Sequence, residues 1–276
     1  MGKNSKIGWT DHTHNIVWGC EKVSPACDNC YAEELDSRYY GEDSHWGKNP
    51  RKIMSDKYWR DPLRWNREAE AAGKPQLVFC SSMADVFEKN DIVESQRPRL
   101  WALIEQTPFL RWLLLTKRPQ NIKRMLPKSL HGHPNIWLGT TIESPTYLWR
   151  ANNLCEVPAP VHFLSLEPLL QFVDLRNISN LLYRGINWVI AGCESGSKAR
   201  PTKIDWFREL RDTCEHYEVP YFLKQAPRAG KGITVGPGSS LKFNRKVAHP
   251  ETGQIIDGLV EAPYLDGKQW TQYPAA

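Results

Sequence analysis

The run Trp112-Leu113-Leu114-Leu115-Thr116-Lys117-Arg118-Pro119 sets a pattern that repeats along the chain. Its first half is apolar on consecutive residues, as expected of a strand covered on both faces, the usual state in parallel sheets. Its second half turns to a hydroxyl, two cations and a proline. Asn15–Trp18, Leu77–Cys80, Ile136–Thr140, His162–Leu166, Trp188–Ala191 and Tyr221–Leu223 read as further buried strands. After the first gap these runs start 24 to 35 residues apart, the length of a βα unit. Helical patterns fill the gaps. They cover Asp56–Ala72, Gln96–Gln106 and Asp205–Tyr217, the last with Thr202 or Asp205 as its cap. Strand and helix in alternation argue for a parallel α/β fold. No glycine fingerprint follows the first strand, so a (βα) barrel or partial TIM-type barrel is expected rather than a dinucleotide-binding sheet. Residues 1–225 read as this barrel. Residues 226–276, rich in Gly, Pro, Asn and Asp, read as a β-rich C-terminal extension or lid, with strand-like pieces at Thr234–Val235 and Ile255–Ile256.

Composition narrows the class. The 276 residues are 41% hydrophobic and 24% charged, as in a globular protein with a sizeable core. No apolar run reaches membrane-spanning length and no signal core follows Met1, so a cytoplasmic protein without a membrane partner is expected. Net charge is +5, compatible with a polyanionic substrate but too diffuse to be a nucleic-acid signature. Most of the 12 tryptophans are expected in the core. Of the seven cysteines, Cys80, Cys155, Cys193 and Cys214 are scattered and read as small buried apolar groups.

The polar residues gather at the strand ends, where a parallel barrel builds its active site. Ser81-Ser82 and Asp85 follow the second strand, Lys117 the third, Thr141 and Glu143 the fourth, Glu167 the fifth, Glu194 the sixth and Lys224 the seventh. Helix capping accounts for hydroxyls in such places. It does not account for Lys117, Glu167, Glu194 and Lys224, because a charge at the end of a buried strand needs a partner.

Cys20, Cys27 and Cys30 follow the first strand, with six and then two residues between them, and Tyr31 comes directly after. Three thiolates are one ligand short of a closed zinc site or of a cubane iron–sulfur cluster. His12 or His14 could complete a Cys3His zinc set, and soft thiolates suit either metal centre, so the donor set leaves zinc and iron–sulfur both open.

Several motifs resemble a phage-associated three-cysteine-motif family that is radical-SAM-like. They are Trp9-Thr10-Asp11, Gly19-Cys20 with Pro25-x-Cys27-x-x-Cys30-Tyr31-Ala32, Phe79 through Phe87, Leu115 through Pro119, Leu164 through Leu169 and Tyr264 through Trp270. The hydroxyl and carboxylate residues at 81, 82 and 85 are similar to the spore photoproduct lyase branch of that superfamily. The resemblance implies a 4Fe–4S cluster on Cys20, Cys27 and Cys30, and S-adenosylmethionine (SAM) as the second cofactor. It implies that Ser81, Ser82 or Asp85 meets the SAM amino group and Lys117 its carboxylate. Tyr31, Thr141 and Glu143 would complete the cofactor site, and Glu167, Glu194 and Lys224 would face the substrate. An electron donor is implied, with a nucleic acid or modified base as substrate and a companion protein as further expectations. The alternative is a zinc- or cluster-stabilised binding or scaffold protein without catalysis. A third reading is a barrel enzyme whose cysteines are incidental.

Overall fold

The computed structural model describes residues 2–196, 198–225, 247–248, 255–256, 264–266 and 268–275. Seven strands form one sheet in chain order: β1 (His12–Thr13), β2 (Gln76–Cys80), β3 (Leu110–Thr116), β4 (Ile136–Thr141), β5 (Val161–Leu166), β6 (Trp188–Gly192) and β7 (Tyr221–Gln225). Every neighbouring pair is parallel. Among the described residues β7 does not pair with β1, so the sheet is a partial TIM-type barrel.

Both faces of the sheet are apolar, which is why the strands show no alternation in sequence. Phe79, Leu113, Trp137, Phe163, Trp188, Ile190 and Phe222 pack together on the inner face, with Trp9 against them. Their neighbours Val78, Trp112, Leu114, Leu138, Leu164, Val189 and Tyr221 pack outward under the helices. Nine of the 12 tryptophans are buried, so most of the tryptophan content is core material. Gly139 is required on β4, because a Cβ there would lie 2.2 Å from the Phe163 ring.

The first strand is not where the apolar pattern put it. β1 is the polar pair His12–Thr13, in register with Val78 and Phe79. The Asn15–Trp18 run contributes Val17–Trp18 to a separate antiparallel pair with Lys52–Ile53. The Asp56–Ala72 pattern is two helices, Asp56–Trp59 and Asp61–Ala71, with Pro62 in the first turn of the second, where a missing N–H costs nothing. The next helix runs Asp91–Glu105, starting ahead of the expected position because Asn90 caps the N–H groups of Ile92 and Val93. The Ile204–His216 helix has Lys203 at its N-cap and no side-chain cap. Asp205 instead pairs with Arg208 and Thr202 is buried.

Of the expected C-terminal extension, Thr234–Val235 lies outside the described residues. Val247–Ala248 pairs antiparallel with Ile255–Ile256, and Tyr264–Leu265 with Lys268–Gln269. The end of the chain then runs along the free edge of β7: Leu223 donates to the Trp270 carbonyl (2.8 Å) and Gln272 to that of Tyr221 (3.1 Å). Arg208 and Arg211 both pair with Asp266, fastening this segment to the last helix.

Candidate active site

The cysteine loop leaves the barrel at Gly19, and only glycine fits there. Its φ is +111°, and a Cβ would lie 2.1 Å from the His45 carbonyl oxygen. The Gly19 N–H bonds the Met83 carbonyl (3.0 Å), and the Cys20 carbonyl accepts from Gly47 (2.9 Å). A short 3-10 turn at Pro25–Cys27 carries the second cysteine, and the helix Tyr31–Tyr40 starts directly after the third. The loop therefore lies between the turn after β2 and the 44–51 loop. The latter is held by Arg51, which bonds three of its carbonyls and pairs with buried Glu88 (2.6 Å).

The strand ends and this loop enclose a cavity of about 420 Å³. Cys20, Cys27, Cys30, Tyr31, Ser81, Ser82, Asp85, Lys117, Thr141, Glu167, Glu194 and Lys224 all line it. Ile7, Trp9, Phe79 and Leu115 from the inner aromatic cluster also line it and form an apolar part of its wall. Glu143 is the exception. It is fully buried outside the lining and pairs with Arg150 (2.9 Å), so the expectation that it helps complete the cofactor site is corrected. Pairing satisfies a charge for which burial alone would be costly.

Several of the lining charges are already paired. Asp85 accepts from the Thr116 hydroxyl (2.7 Å), the Phe87 and Lys117 N–H groups and Arg118 (2.9 Å). With both oxygens engaged, it holds the end of β3 instead of standing free for an ammonium group. Glu194 accepts from the Asn29 amide (3.1 Å) and from the Arg200 backbone N–H (2.7 Å) and side chain (2.9 Å). Burial pushes the Glu194 carboxyl up, but the donors of Arg200 and Asn29 outweigh it and hold the group below its ordinary value. Arg200 also reaches the Pro25 carbonyl (2.8 Å), and Asn29 that of Lys198 (2.9 Å). Glu194 thus ties β6 to the cysteine loop while it lines the cavity. Glu167 and Lys224 pair with each other across the mouth.

The turn carrying Ser81 and Ser82 is fixed by Asn15, whose side-chain oxygen accepts from Met83 N–H (2.7 Å) and whose amide donates to the Ser82 hydroxyl (3.1 Å). The Tyr31 hydroxyl donates to the Ser82 carbonyl (2.8 Å). Asn15, Asn29, Arg118 and Arg200 were not singled out from the sequence. Arg118 stood in the run that defined β3, but local pattern does not tell that it, beside Lys117, meets Asp85 and Cys20.

The two histidines that could complete a Cys3His zinc site lie elsewhere. His12 bonds Gln76 (2.9 Å) and stacks on Trp65, and His14 lies in an aromatic box; neither lines the cavity. Among the described residues no group of His, Cys, Asp and Glu converges on a single ion position. All three cysteines are half-buried and free of disulfides. Burial pushes the Cys20 thiol up to about 12, with Arg118 pulling against it. A bound metal supplies the charge that stabilises the thiolate.

A partial parallel barrel with a three-cysteine loop over the C-terminal ends of its strands is the class that fold and site define. The chain belongs to a family described as a protein of unknown function (DUF5131), whose profile matches residues 4–274. Among solved structures it is similar to spore photoproduct lyase. A single-substitution variant of that enzyme superposes with a TM-score of 0.53 at 11% identity, covering 81% of this chain and 78% of that one. The lyase complexed with dinucleoside spore photoproduct gives 0.50 at 12%, covering 77% and 63%. A second variant gives 0.50 at 13%, covering 76% and 62%. At these identities the likeness is one of fold, and this chain spans less than two thirds of the length of the lyase in two of the three. No curated protein matches the sequence. Among the described residues no helix is long and apolar enough to cross a membrane.

Proposed function

We propose that this chain is a radical SAM enzyme, in which Cys20, Cys27 and Cys30 hold a 4Fe–4S cluster beside a bound SAM. The reading rests on one observation: the three cysteines share a single cavity at the barrel mouth with nine further residues expected in the site. The cavity volume of about 420 Å³ falls in the ordinary range of small-molecule sites. The chemistry supplied by the cofactor pair, when bound, is one-electron cleavage of SAM to a radical that takes a hydrogen atom from a substrate.

The protein's part is to bind, orient and exclude water. In this reading the cysteines leave one iron of the cubane without a thiolate. Ser81 and Ser82 accept from the SAM ammonium group, because the Asp85 oxygens are already engaged. Lys117 lines the cavity without an acidic partner among the described residues, and it pairs with the SAM carboxylate. Thr141, whose buried hydroxyl has no partner among the described residues, would take a ribose hydroxyl. Tyr31, which lines the cavity at the start of its helix, would help hold the cofactor. The neutral Glu167–Lys224 pair offers a substrate hydrogen-bonding groups without a net charge. The apolar wall of Ile7, Trp9, Phe79 and Leu115 keeps water out. A nucleic acid or modified base is the proposed substrate class, consistent with the net charge of +5. An external electron donor is required, and a companion protein remains part of the proposal.

The test is anaerobic purification with iron, sulfide and zinc analysis, followed by SAM and dithionite. A brown protein with about four irons per chain that releases 5′-deoxyadenosine is expected. Stoichiometric zinc in a colourless protein would sink the reading and favour the scaffold alternative. Cys27→Ala should abolish the colour and leave the circular dichroism spectrum unchanged, since Cys27 is only half-buried. Weaker binding of DNA as salt rises supports the substrate class, and no binding at low salt removes it.

A further inference from the structure

The three cysteines are not equivalent. The guanidinium of Arg118, a buried residue, lies 3.7 Å from the Cys20 sulfur through Nη1. The same nitrogen donates to Asp85 (2.9 Å), while Nη2 donates to the Glu21 carbonyl (2.7 Å) and lies 3.9 Å from Glu88. Asp85 is itself clamped by Thr116, Phe87 and Lys117. The cation therefore has acceptors on several sides and cannot swing away from the sulfur. Among the described residues no lysine or arginine hydrogen-bonds the sulfur of Cys27 or Cys30.

We propose that Arg118 is a positioning residue for Cys20 and, through that one thiolate, raises the reduction potential of the iron–sulfur centre. The inference rests on the radical SAM reading above. Adding an electron to the centre puts more negative charge on its sulfur atoms. A fixed cation and an N–H donor at one of those sulfurs favour the reduced state. Hydrogen bonding to the sulfurs and local charge are the protein's levers on such potentials. A lysine would carry the charge but not the planar fork that bridges Asp85, Glu21 and Cys20 together.

The experiment compares the reconstituted wild-type chain, R118K, Arg118→Gln combined with Asp85→Asn, and Asp85→Asn alone. The double variant removes the cation without leaving Asp85 charged and unpaired, and Asp85→Asn alone is the reference that carries the same loss of negative charge. Iron and sulfide content and the thermal midpoint report assembly. The midpoint potential, titrated with dithionite and followed by electron paramagnetic resonance, reports the inference. All four proteins should take up iron. Against Asp85→Asn, the reduction constant of the double variant should fall at least tenfold, or 59 mV for one electron, and that of R118K should fall below wild type. Equal potentials within both pairs overturn the proposal. If the double variant loses the centre, R118K decides, and an unshifted potential in it overturns the proposal. A wild-type chain that takes up no iron overturns the cluster reading itself and this inference with it, a failure seen before Arg118 is touched.

Discussion

Acidification should destabilise this protein through His14, well away from the cavity. The His14 ring is fully buried, stacked on Tyr58 with centroids 4.9 Å apart and edge-on to Trp59 (5.1 Å) and Trp112 (5.6 Å). Neither ring nitrogen has a partner among the described residues. Burial, helped by the nearby Arg99 cation, lowers its pKa from 6.5 to about 3. The folded state thus keeps the ring neutral, while the unfolded chain takes up a proton below pH 6.5. Between these values the unfolded state binds more protons, so stability falls as pH falls. At about 1.4 kcal/mol per pH unit, the loss from pH 7 to pH 5 comes to about 2 kcal/mol, a sizeable part of a typical folding free energy of about 5–15 kcal/mol. The assay is chemical denaturation of wild type and His14→Phe at both pH values, with equal m-values as the check on comparability. Phenylalanine keeps the aromatic contacts and removes the two buried nitrogens. Other titrating groups, His12 among them, contribute equally to both proteins. Wild type should lose about 2 kcal/mol more than the variant on acidification. Parallel losses in the two proteins would refute the reasoning.

Two further substitutions test how the cysteine loop is held. Gly19→Ala drives a methyl group to within 2.1 Å of the His45 carbonyl oxygen at a φ of +111°. Strain and overlap together should cost about 2–5 kcal/mol, read as a lowered thermal midpoint; an unchanged midpoint would remove glycine's role there. Glu194→Gln keeps the shape but not the charge that Arg200 and Asn29 share, so iron affinity in chelator competition should drop about 10–100-fold. Wild-type affinity in that variant would show that the Glu194 tie does not support the cysteines.

Six of the seven sheet strands could be read from apolar runs because both of their faces are buried. β1 could not, because His12 and Thr13 pair with β2 by backbone hydrogen bonds that leave no mark on side-chain pattern. The site was legible as a set of positions. Polar residues that end parallel strands collect at one mouth, and twelve of the thirteen expected residues line one cavity. Glu143 was misread because strand-end position does not say which way a side chain faces, and its face is decided by Arg150 beneath β4.

The amino-acid sequence by itself determined the parallel barrel architecture, the three-cysteine loop and the ring of polar strand ends. These are local properties, written in runs of a few residues and in the spacing between them. Only the tertiary structure decided which charges remain available. Glu194 meets Asn29, Glu167 meets Lys224, and Arg118 meets both Asp85 and Cys20, each across a long stretch of chain. A buried charge is settled by whichever partner folding brings within about 3–4 Å, and no local pattern carries that distance.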